Sequence, residues 1–183
     1  NIGKDKKICA MVKADAYGHG IDIISKILIN KVDFLGVSNI NEALFLRSLD
    51  SDVKILIVGK TYFFDECIEN NISFTIESIE QFEKLITFCK AEYNLNAEDI
   101  KDNYKIKKCI NIHLKIDAGM NRLGIKNIDE LKKIYHHAKA NNINIEGIST
   151  HFSTADCDEI IFKKQINMFS KFVNEIPKGE TPI

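Results

Sequence analysis

The sequence predicts an α/β fold, a (β/α)8 TIM-type barrel of which about six βα units are present. Three observations point there. Short apolar runs alternate with stretches of helical periodicity along the whole chain. One late strand, 110–117, is apolar on one parity and polar on the other. The first apolar run stops abruptly in a lysine, followed by small residues, a tyrosine and two glycines that bracket a histidine.

Taken in order, Ile8 to Val12 reads as a buried strand, with Lys13 at its C-terminal tip and Tyr17 in the loop beyond. A helix follows over Ile21 to Ile29, with Ile21, Ile24, Ile27 and Leu28 as its apolar stripe. Phe34 to Val37 is the second strand. Asn39 or Asn41 caps the next helix, whose stripe is Ala43, Leu44 and Leu46. Lys54 to Gly59 is a continuous aliphatic run ended by glycine. Helix 62–71, strand 72–76 and a longer helix over 79–92 come next. The segment from Tyr93 to Lys108 is polar and irregular, a surface insertion without a motif. Strand 109–116, helix 128–141, strand 145–150 and helix 159–175 complete the series. No linker or low-complexity tract interrupts it, and both prolines, Pro177 and Pro182, lie near the end.

Six βα units suit either a doubly wound sheet or part of a barrel, and strand 110–117 helps choose. Ile110, Ile112, Leu114 and Ile116 share one face; Asn111, His113, Lys115 and Asp117 share the other. A central strand of a doubly wound sheet is covered by helices on both sides and is apolar on both. A polar face belongs in a lumen that carries function, the alternative being an edge strand with one wet side. In a barrel, ligands bind at the C-terminal ends of the strands. A desolvated lysine held there can attack a carbonyl as a Schiff-base nucleophile. The plainer alternative is a lysine that snorkels from a strand end above a glycine turn.

Composition narrows the function classes. Net charge is −1, with 25 basic and 26 acidic residues, so no electrostatic footprint for nucleic acid or an anionic membrane is present. No apolar run reaches the length of a membrane span. The five cysteines (Cys9, Cys67, Cys89, Cys109 and Cys157) are odd in number and far apart, without a Cys-x-x-Cys pair. That pattern argues against a disulfide framework and a zinc site, and favours buried thiols in the cytoplasm. No metal is expected.

Three stretches carry the chemistry. The first, Val12-Lys13-Ala14-Asp15-Ala16-Tyr17-Gly18-His19-Gly20, resembles the pyridoxal-phosphate lysine motif of bacterial alanine racemases, with Asp15 where many members carry Asn. The second, His113 to Ile125 (HLKIDAGMNRLGI), resembles the family's HLKxDTGMxRLG, with Ala118 for Thr or Ser and Asn121 for Gly. The third, Thr150 to Asp156 (THFSTAD), resembles THFAxAD. All three occur in the family's order, each at a predicted strand's C-terminal end.

The resemblance implies a fold-type III enzyme that interconverts L- and D-alanine with pyridoxal 5'-phosphate and supplies D-alanine for peptidoglycan. It implies that Lys13 holds the cofactor and removes or returns the α-proton on one face. Tyr17 then binds the cofactor phosphate. Arg122 binds the cofactor's phenolic oxygen and helps place the substrate carboxylate. Lys115 corresponds to a lysine that is often carbamylated and orients the arginine, and His151 to a histidine that helps orient the group at the pyridine nitrogen. A second acid/base must serve the opposite face, since one base returns the proton to the side it left. The family draws it from a partner subunit's C-terminal β domain, which implies a homodimer of the full-length protein. Alternatives on the same fold are a racemase of another amino acid, such as serine, or a non-catalytic pyridoxal-phosphate carrier.

A complete barrel needs eight strands and roughly 250 residues. Residues 1–183 are therefore expected to be a partial barrel domain, lacking the family's C-terminal β domain and inactive by itself.

Overall fold

The computed structural model describes residues 3, 6–93 and 109–177. The expected insertion at 93–108 lies outside them beyond its first residue. The chain falls into two compact units, Asn1–Thr75 and Ile76–Ile183.

The first unit holds β1 (Cys9–Met11), α1 (Lys13–Gly18), α2 (Ile21–Leu28), β2 (Phe34–Val37), α3 (Ile40–Leu49), β3 (Ile55–Ile57), α4 (Phe64–Glu69) and β4 (Ser73–Ile76), whose last residue opens the second unit. Its strands pair in parallel and in sequence order, with Cys9 opposite Phe34, Leu35 opposite Ile55 and Leu56 opposite Ser73. Every residue of β2, β3 and β4 is buried. Fully burying an aliphatic or aromatic side chain is worth about 1.5–3 kcal/mol, so Leu35, Ile55, Ile57 and Phe74 anchor this sheet.

β1 differs from its expected burial. Cys9 is exposed and Ala10 and Met11 are only half-buried, because β1 lies at the edge of the sheet and, among the described residues, pairs with β2 alone. Val12, just beyond it, is the buried residue of the run. In α2 the inward stripe is narrower than predicted, and Ile27 is exposed.

Asn39 is the cap of α3, its side chain accepting from the Glu42 N–H at 3.0 Å. At the other end of α3, Arg47 donates to five backbone carbonyls: Asp50, Ser51, Val53, Asn70 and Asn71. This one side chain closes the turns that enter β3 and β4.

The second unit holds α5 (Ile79–Tyr93), β5 (Asn111–Ile116), α6 (Ile128–Ala140), β6 (Asn144–Thr150) and α7 (Glu159–Val173). β5 and β6 run parallel, with an irregularity at Ile112/His113. β5 alternates as the sequence predicts, with Ile112, Leu114 and Ile116 buried and Asn111, His113 and Lys115 half-buried. Asp117 breaks the parity and is buried. Side-chain caps at Asn127 and Asp158 start α6 and α7.

The cysteines depart from expectation. Only Cys67 and Cys89 are buried, and Cys9, Cys109 and Cys157 are exposed. Burial pushes the Cys67 and Cys89 thiols up to about 12. Cys9 lies on the edge strand, while Cys109 and Cys157 lie outside regular elements, where an apolar residue type does not enforce burial. Among the described residues no disulfide or metal-holding group of His, Cys, Asp and Glu occurs, and no helix is long and apolar enough to cross a membrane.

Candidate active site

In the first unit, the chain leaves β1 through Val12, whose N–H donates to Gly36 O at 2.9 Å. Lys13 follows at the strand's C-terminal tip and is half-buried. The next four residues, read from the sequence as part of a loop, have a regular geometry. Ala14, Asp15, Ala16 and Tyr17 have φ of 51, 55, 52 and 56° and ψ of 53, 44, 45 and 36°, a single turn of left-handed helix. Left-handed geometry costs an L-residue about 1–2 kcal/mol because Cβ crowds the carbonyl. Four in succession therefore require holding by contacts outside the turn.

Those contacts are identifiable. The Ala16 N–H donates to Val12 O at 2.9 Å, and the Gly20 N–H to Asp15 O at 3.0 Å. The Asp15 carboxylate accepts from the Ile21 N–H at 2.7 Å, tying the turn to the start of α2. An amide oxygen could accept the same bond, so the contact suits either Asp or the Asn of the motif this stretch resembles. The longest-range tie comes from α3. Glu42 Oε1 accepts from the Ala14 N–H at 2.7 Å, while Oε2 accepts from the Ser38 N–H and hydroxyl, both at 2.8 Å. Burial pushes the Glu42 carboxyl up, but the donors on Ser38, Ala14 and Asn39 outweigh it and hold it below the usual glutamate value.

Tyr17 is 60% exposed, and Lys13 Nζ lies 6.0 Å from its ring centroid. A side chain built at Gly18 would meet nothing within 4 Å, so the approach beside Tyr17 is open.

In the second unit, Lys115 is the penultimate residue of β5 and half-buried. The following loop closes on the strand it left. The Asp117 N–H donates to Ile125 O at 3.0 Å and the Ile125 N–H to Lys115 O at 2.8 Å. Asp117, its side chain 1% exposed, accepts at Oδ1 from the Gly119 and Asn121 N–H groups at 3.0 and 2.9 Å; Lys126 lies 3.5 Å from Oδ2. Burial raises the Asp117 carboxyl, and those two N–H groups with the Lys126 ammonium bring it below the ordinary aspartate value.

Asn121 has φ 54°, a conformation natural to glycine and best tolerated otherwise by Asn or Asp. The family's Gly is thus replaced by the side chain that fits. Gly124, at φ 136°, cannot be replaced so easily, since a Cβ there would lie 2.5 Å from Asp117 N. Arg122 is exposed on this loop.

His151 is exposed immediately after β6. Ile116 and Thr150 are strand partners, and the Thr150 hydroxyl donates to Ile116 O at 2.8 Å. Lys115, the Arg122 loop and His151 therefore gather at the same end of the β5–β6 pair. Beyond His151, buried Gln165 of α7 accepts from the Ser153 N–H and donates to its hydroxyl, both at 3.0 Å.

Glu42, Asp117 and Gln165 are the residues that motif reading passed over. Asn39-x-x-Glu42 has the form of a capping box, and Asp117 preceding a glycine turn has the form of an Asx turn. Nothing local signals Gln165.

A family model, that of the alanine racemase N-terminal domain, matches residues 1–183. An alanine racemase of Streptococcus pyogenes serotype M6 is 36% identical over 168 residues, covering 91% of this chain and 42% of the relative. One of Streptococcus equi subsp. zooepidemicus is 33% identical over 181 residues, covering 97% and 45%. The alanine racemase structure of Clostridium difficile superposes with a TM-score of 0.80 at 32% identity, covering 95% of this chain and 46% of that one. It has also been solved in complex with cycloserine. The Enterococcus faecalis alanine racemase gives 0.82 at 26% identity, covering 96% and 45%. The chain spans less than half the length of these relatives. The barrel fold predicted from the strand and helix pattern is the fold they share, and the chain belongs to the alanine racemase N-terminal domain family.

Proposed function

We propose that the full-length protein interconverts L- and D-alanine with pyridoxal 5'-phosphate. The observation that carries this reading is Lys13, presented at a strand tip on a left-handed turn within the motif Val12 to Gly20. The donor set suits the cofactor. Lys13 offers a primary amine to an aldehyde, Tyr17 a phenol to a phosphate, and the open side of Gly18 leaves room for approach. The complex of the Clostridium difficile relative with cycloserine supports a site for small amino-acid-like molecules.

The chemistry that a bound pyridoxal phosphate supplies is that of an electron sink, which makes the substrate's α-proton removable. Lys13 would hold the cofactor through its side-chain amine, and its free amine would take or return the proton at the substrate's α-carbon from one face. The Tyr17 hydroxyl would donate to the phosphate. Arg122, a permanently charged planar fork, would hold the phenolic oxygen and orient the substrate carboxylate. A carbamylated Lys115 would change from cation to anion and steady the arginine, and His151 would orient the polar groups at the ring nitrogen. We assign alanine as the substrate, a homodimer as the working form and the cytoplasm as the compartment.

The test is α-proton exchange in deuterated water. The full-length protein should interconvert the alanine enantiomers with solvent deuterium entering at Cα. Lys13→Ala should lower the rate by at least a hundredfold, the scale of a positioned acid/base group. Racemisation undiminished by Lys13→Ala would overturn the reading.

A further inference from the structure

We infer that Glu42 is a positioning residue for Lys13, a carboxylate clamp that holds the left-handed turn in the geometry needed for cofactor attachment. This rests on reading Lys13 as the cofactor lysine. Glu42 is the third residue of α3, a position from which a glutamate ordinarily reaches back to the backbone at the helix start. Its contacts with the Ser38 N–H and hydroxyl fit that habit. The contact with Ala14, 28 residues away, does not. Ala14 directly follows Lys13 and is the first of the four left-handed residues. A helix cap does not need that bond; the turn does.

The clamp is braced from both sides. Asn39 fixes the start of α3 by accepting from the Glu42 N–H, and its own side-chain amide donates to the Ser38 hydroxyl at 3.2 Å. Gly59, just beyond β3, packs against Ser38 so closely that a Cβ there would lie 2.2 Å from Ser38 O. The chain just beyond β1 and just beyond β2 is therefore joined through one carboxylate. The groups on Ala14 and Ser38 that bond it are all donors, one at Oε1 and two at Oε2, so both oxygens must accept. Glutamine supplies one accepting oxygen and one NH2, which would face an N–H. The charge is thus part of the fit, not only the length of the side chain.

The experiment compares the full-length protein with Glu42→Gln and Ser38→Ala. Two quantities are read: hydrogen exchange at the Ala14 amide, and the visible absorbance of the cofactor joined to Lys13, titrated with pyridoxal phosphate. Loss of a charge-assisted hydrogen bond should reduce Ala14 protection, and weaken attachment at Lys13, by roughly tenfold or more in Glu42→Gln. The melting transition should remain cooperative. Ser38→Ala removes one of the three bonds and should shift both quantities the same way by a smaller factor. Protection and attachment unchanged in Glu42→Gln would overturn the inference. If Glu42→Gln does not fold, Ser38→Ala decides, and no shift there overturns it. Failure of the wild-type protein to attach cofactor at Lys13 would sink the functional reading instead. The clamp would then stand on Ala14 protection, supported if Glu42→Gln removes it and overturned if it does not.

Discussion

The loops after β1 and β5 are both organised by a carboxylate that collects backbone N–H groups, yet the two carboxylates come from very different places. Asp117 lies within its own loop and accepts from residues two and four positions on. Glu42 belongs to another helix and accepts from Ala14, 28 positions back. The loop after β5 is thus self-contained, while the turn after β1 exists only once β1, β2 and α3 have come together. Their backbones differ to match. The Asp117 loop places single residues, Asn121, Gly119 and Gly124, at positive φ. The Lys13 turn places four non-glycine residues there in a row. A locally satisfied loop can be built from tolerant residues. A strained one needs tertiary contacts, and strain of this kind collects at functional sites.

The comparison breaks most forcefully at Gly124. Gly124→Ala combines a φ of 136° with a Cβ 2.5 Å from Asp117 N, against backbone that cannot move aside cheaply. It should cost about 3 kcal/mol or more, read as a shift in the denaturant midpoint at unchanged slope. A loss below about 1 kcal/mol would mean the loop is looser than its geometry.

Asp117→Ala comes next. It leaves the N–H groups of the exposed residues Gly119 and Asn121 without their acceptor, and should cost about 1–3 kcal/mol in total. Acid should act on the same bonds. The Asp117 and Glu42 carboxyls both lie below their ordinary values of 3.8 and 4.5 in the folded chain. Folding therefore releases protons. The stability these groups contribute is fully present above those values and declines as pH falls through the lowered folded values. As pH falls through and below 3.8, stability should decline less steeply in Asp117→Ala than in the wild type. An unchanged slope would remove Asp117 from the account.

The smallest effect is expected at Asp15. Its carboxylate accepts one N–H, that of Ile21, and an amide oxygen serves as well. Asp15→Asn should change stability by no more than about 0.5 kcal/mol, measured by thermal melting. A larger loss would show that the turn depends on charge at Asp15 as well as at Glu42.

The same contrast governs what the sequence reveals. The strands, 3 to 7 residues long, fall where apolar or alternating stretches predict them, because burial is a local requirement on side-chain type. The Asn39 cap is legible since its partner lies three residues on. The alternation of β5 is visible for the same reason. The left-handed turn is not legible. Ala14, Ala16 and Tyr17 have no preference for positive φ, and only the neighbouring Gly18 and Gly20 hint at an unusual path. Glu42 and Arg47 are invisible as clamps because their acceptors and donors are brought up by tertiary structure. β1 reads as buried from composition alone, while its edge position leaves Cys9 exposed. Family motifs identify Lys13, Tyr17, Lys115, Arg122 and His151 without showing how any of them is held.

The central claim is that the Lys13 turn is a built seat for one lysine. It is tested most directly by reductive trapping. The full-length protein is mixed with pyridoxal phosphate, reduced with borohydride, digested, and the adducts located by peptide mass. Lysines and arginines together number 25, and most lysines are exposed competitors for the aldehyde. The account predicts one dominant adduct, on the peptide carrying Lys13. Labelling spread over surface lysines, with Lys13 no more reactive than the rest, would contradict it.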